Sequence, residues 1–183
     1  MSAMLRALAL AALLATVPVL SLPAPAAAEE QARQDGQEID EATLVAMMDD
    51  VVKYYDETRP SQGRILELLP AYEKNKDSQE YKKLRFLFDT HQKVTTSLNN
   101  LIDVLYISLK HGNYEDQELN TYLYNRCKNI ITFLNNMVYF LTARNQEMEL
   151  SPSVDVQQLY ESYLVRLTTL LYELNKHLAR FHK

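Results

Sequence analysis

The chain has 183 residues, 19 basic against 24 acidic side chains, one cysteine and no tryptophan. A net charge of −5 with no basic stripe argues against nucleic acid and anionic membranes as partners. A single cysteine rules out a domain held by internal disulfides, and glycines only at Gly36, Gly63 and Gly112 leave no phosphate or dinucleotide loop.

Residues 1–28 read as a cleaved signal peptide. Arg6 supplies a positive start, and Ala7 to Leu22 is an apolar run broken at Pro18. Pro23 and Pro25 lead to Ala26-Ala27-Ala28, a small-residue cleavage site. The run is shorter than the ~20 apolar residues of a membrane span. Export to a bacterial periplasm or the medium is therefore expected, with no transmembrane span in the mature chain. Without Arg6, 18 basic and 24 acidic groups remain, a net charge of −6.

Residues 29–37 are polar and read as a flexible lead-in; residues 38–183 read as one helical domain. A first helix is expected from about Glu38 to Thr58, with Leu44, Val45, Met48, Val51, Val52 and Tyr55 inward. Arg59 to Gly63 contains Pro60, which predicts a split or kink there. A shorter piece follows from Arg64 to about Asn75, with Pro70 inside it.

The strongest element spans Tyr81 to Gly112. Leu84, Leu87, His91, Val94, Leu98, Leu101 and Leu105 recur at steps of three and four, opposite a polar face that includes Asn99 and Asn100. Asp77 with Glu80 has capping-box spacing, and Gly112 suits a left-handed helix end. A third helix is expected from about Tyr114 to Glu147, with Cys127 on its apolar seam. A buried unpaired thiol is the preferred reading there, an intermolecular disulfide the alternative. Ser151-Pro152 reads as the start of a fourth helix, with Val156, Tyr160, Tyr163, Leu167, Leu170, Leu174, His177 and Phe181 inward.

Three long helices and a broken rod of similar span, joined by short connections, predict an all-α, antiparallel up-down four-helix bundle. No nucleophile elbow, Glu-x-x-His or Cys-x-x-Cys-His occurs, so no enzyme and no cofactor is expected. His111, His177 and His182 gather at one bundle end and form the candidate metal set, with Glu173 one turn before His177. Met48 lies near the level of His177 and is the matching cofactor candidate. This pair resembles the Met and His haem ligands of four-helix b-type cytochromes in residue type and level alone, and core packing explains Met48 equally.

The third helix carries more apolar surface than one stripe needs. Phe133, Tyr139 and Phe140 point away from its seam. Burial under the split first rod is the preferred explanation; an exposed partner surface is the other. The expected function is an exported, non-enzymatic binding module of adaptor, sensor-like or inhibitor-like kind. Its partner would be another protein or a second copy of the chain. The alternative is a haem or metal carrier using the His111/His177/His182 end.

Overall fold

The computed structural model describes residues 40–112, 116–148, 151 and 153–182. The expected leader at 1–28 and the expected lead-in at 29–37 lie outside the described residues. Four helices make up the fold: α1 (Glu41–Tyr72), α2 (Gln79–His111), α3 (Gln117–Glu147) and α4 (Val154–Leu178), closed by a 3₁₀ turn at Ala179–His182. At 1.5 Å per residue the four are about 40 to 50 Å long.

α1 and α3 each pack against both α2 and α4, and α2 and α4 also meet across the middle. Contacts run in opposite order along α1 and α4: Arg64 meets Asp155, Ser61 meets Arg166 and Asp50 meets His177. They run in the same order along α2 and α4, from Lys83–Gln157 to His91–Tyr163. This is the up-down-up-down bundle that the apolar periodicity predicts. No helix among the described residues is long and apolar enough to cross a membrane.

All seven seam positions of α2 are buried, as are the eight inward positions read for the fourth rod. An average repeat of 3.5 keeps such a stripe on the bundle axis over the whole helix. Cys127 is 1% exposed and unpaired, so the intermolecular disulfide is set aside. Burial pushes its thiol up to about 12.

α1 departs from expectation in two ways. It is not split: one 32-residue helix passes through both Pro60 and Pro70. Its inward line is Leu44, Met47, Val51, Tyr54, Thr58, Ser61 and Ile65, a strict alternation of three and four. Met48 and Tyr55 sit half-buried beside that line, while Val45 and Val52 are exposed. Pro60 removes the N–H that would bond the Asp56 carbonyl. Beside that carbonyl, the Arg166 guanidinium of α4 donates to the Glu57 carbonyl and to Ser61 Oγ. Thr58 Oγ1 returns a bond to the Tyr54 carbonyl at 2.8 Å.

The helix ends also differ from expectation. Ser78 caps α2, accepting from the Tyr81 amide at 3.2 Å. Glu80 instead reaches the α3–α4 connection, accepting from Ser151 Oγ at 3.1 Å and the Ser153 amide at 3.3 Å. Gly112 ends α2 in an extended conformation, φ −67° and ψ 133°, not the left-handed one. Asp116 caps α3 through the amides of Glu118 and Leu119. Ser153, not Ser151, caps α4. Beside this connection the buried Lys83 donates to Gln157 at 2.6 Å and lies over the Tyr160 ring. Desolvation holds its ammonium below the usual lysine range.

Candidate functional site

The bundle interior carries a polar layer at mid-height. His91 Nδ1 lies 3.3 Å from the Tyr163 hydroxyl, with the rings edge to face. Tyr54 comes from α1 to the same place, its hydroxyl beside Tyr163 but outside hydrogen-bond geometry. Burial raises both phenols and lowers His91, so the layer is neutral at pH 7.

Toward the end where α1 begins, α1 and α4 bring Asp50, Glu173 and His177 together. One ligand-type atom from each lies within 4.8 Å of the other two. Glu173 and His177 are four residues apart, so α4 presents them on one face one turn apart. Asp50 arrives from α1, one step off its inward line. His177 is 6% exposed, and its Nε2 is 2.8 Å from Asp50 Oδ2. Its Nδ1 is buried with no hydrogen-bond partner among the described residues. An orphaned buried polar atom of this kind costs on the order of 1–3 kcal/mol. Lys176 holds one Glu173 oxygen at 3.0 Å. Asp50 and Glu173 also line a cavity of about 80 Å³, shared with Lys53, Tyr54, Glu57, Arg166, Thr169 and Leu170.

Of the sequence candidates, only His177 belongs to this group. His111 is exposed in the last turn of α2, and the His182 side chain lies outside the described residues. Met48 is half-buried against the core. His177 turns its Nε2 to Asp50, 2.8 Å away. Asp50 was missed because the expected α1 stripe was turned by one residue, placing Asp50 on the solvent side. With Met47, Val51 and Tyr54 inward, Asp50 falls on the flank that faces α4.

The outer face of α3 is the second candidate. The burial expected for it fails for a plain reason: α1 is one helix, packed on the other flanks of α2 and α4. Phe133, Tyr139 and Phe140 are 39%, 68% and 52% exposed. Tyr122, also exposed, precedes Phe133 by eleven residues, and Phe140 follows by seven, so the three share one line along α3. The Tyr139 and Phe140 rings pack edge to face, 5.9 Å apart. Phe133 forms one wall of an open groove of about 460 Å³, whose other wall is Asp89, Gln92, Lys93, Thr96 and Ser97 of α2. No protein-family model, curated protein or solved structure matches the chain.

Proposed function

We propose that this chain is an exported, non-enzymatic helical bundle that works by binding a protein partner along the outer face of α3, in a bacterial periplasm or outside the cell. One observation carries the reading: Phe133, Tyr139 and Phe140 stand exposed on a face that no other helix among the described residues covers. Such aromatic groups are favoured at interface cores, having large apolar bodies and, in tyrosine, a polar tip. The α2–α3 groove has an aromatic knob on one wall and a polar rim on the other. A partner helix with one apolar face fits that shape, since its anchors at three- and four-residue steps meet the line on α3. The leader-like residues 1–28 support export.

A photo-reactive residue at Tyr139 tests the reading in the native host. A single defined protein should be captured there and not from a control at Glu67 on α1. Capture from Glu67 alone, or the same proteins from both positions, would move the functional surface elsewhere.

A further inference from the structure

We propose a divalent transition-metal site formed by Asp50 of α1 with Glu173 and His177 of α4. Three observations point to it independently of the α3 face. Two carboxylates and one imidazole from two helices already converge, with ligand atoms within 4.8 Å of one another. The imidazole is held in place by burial, with its Nε2 turned to Asp50 at 2.8 Å from Oδ2. The two carboxylates open onto a cavity of about 80 Å³, room for a couple of water ligands at about 30 Å³ each.

Two oxygens and one nitrogen suit a first-row divalent ion such as Zn²⁺, and the imidazole disfavours Mg²⁺ and Ca²⁺, which prefer oxygen alone. Three protein ligands plus water leave the ion an open position, the arrangement of an exchangeable rather than a sealed site. Lys176 competes for Glu173 at 3.0 Å, and Lys53 and Arg166 add positive charge around the cavity. The site is therefore built for a weakly held, exchangeable ion.

Equilibrium dialysis of the full chain against Zn²⁺, with metal analysis, tests the site. One ion per chain is expected, with a Zn²⁺-dependent rise in Tm. His177→Gln and Asp50→Asn should each weaken binding by at least about tenfold. Lys176→Ala should tighten it, because it frees the Glu173 carboxylate; unchanged affinity there would remove Glu173 from the ligand set. Co²⁺ should give a visible absorption band that His177→Gln abolishes. If circular dichroism shows that His177→Gln does not fold, Glu173→Gln at the half-exposed rim takes its place. No bound Zn²⁺ in the wild type, or equal binding in the folded variants, would leave an interhelical hydrogen bond only and overturn the proposal.

Discussion

Single residues explain why some positions were legible and others were not. Leu98 sits mid-seam on α2 with no exposure, so Leu98→Ala should cost about 2–5 kcal/mol in a denaturant melt. Asn100→Ala, on the solvated face, should change stability by only a few tenths. Asn99 looks equivalent in the sequence but is not, because its side-chain carbonyl accepts from the Tyr55 hydroxyl at 2.8 Å. Asn99→Ala should therefore cost about 0.5–1.5 kcal/mol, the usual net worth of such a bond. Partners this far apart along the chain leave no local signature. His91 carries a pH prediction. Burial holds its folded pKa below the ordinary histidine value of about 6.5, so the unfolded chain takes up the proton first. Its contribution is thus fully present above pH 6.5 and lost as pH falls from there through the folded value. Melts between about pH 7 and 5 should show a falling Tm, and His91→Gln should flatten the upper part of that fall.

Helices were legible wherever apolar residues alone set the period. α2 and α4 follow their leucines and tyrosines without ambiguity. In α1 the neighbours Met47–Met48, Val51–Val52 and Tyr54–Tyr55 are chemically alike, so a one-residue rotation of the stripe looks the same in the sequence. The true line continues through Thr58 and Ser61, polar residues that hide its period just where Pro60 suggests a break. Caps were displaced by one or two residues because Asp77–Ser78 and Ser151–Ser153 each offer two competent capping side chains. Glu80 matched a capping box by spacing while serving a tertiary contact. An interior proline costs a helix about 3 kcal/mol, and Arg166 bonds the Glu57 carbonyl, the neighbour of the one that Pro60 leaves without its amide. Pro60→Ala should stabilise the protein by about 1–3 kcal/mol. Arg166→Ala should destabilise it by about 1–2 kcal/mol in the wild type. Because Arg166 bonds residues on either side of Pro60, the two changes should be non-additive in a double-mutant cycle in urea.

Across the whole molecule, the bundle was legible because three long stripes and short connections admit few other arrangements. The candidate surface was only half legible. The sequence shows that α3 has apolar residues to spare, but whether they are covered depends on α1, whose continuity decides where it packs. Asp50 was lost for the same reason, through the rotation of α1, while Glu173 and His177 could be paired from their four-residue spacing. The central claim is that the outer face of α3 serves a partner and not the fold. The double change Phe133→Glu with Phe140→Glu puts that to the test, with unfolding followed by circular dichroism and association by light scattering and by cross-linking from Tyr139. Charge on a solvated helix face costs little, whereas charge in a desolvated interface is expensive. The account predicts a helical protein with Tm close to wild type and association abolished. Loss of the fold, or association that survives both glutamates, would contradict it.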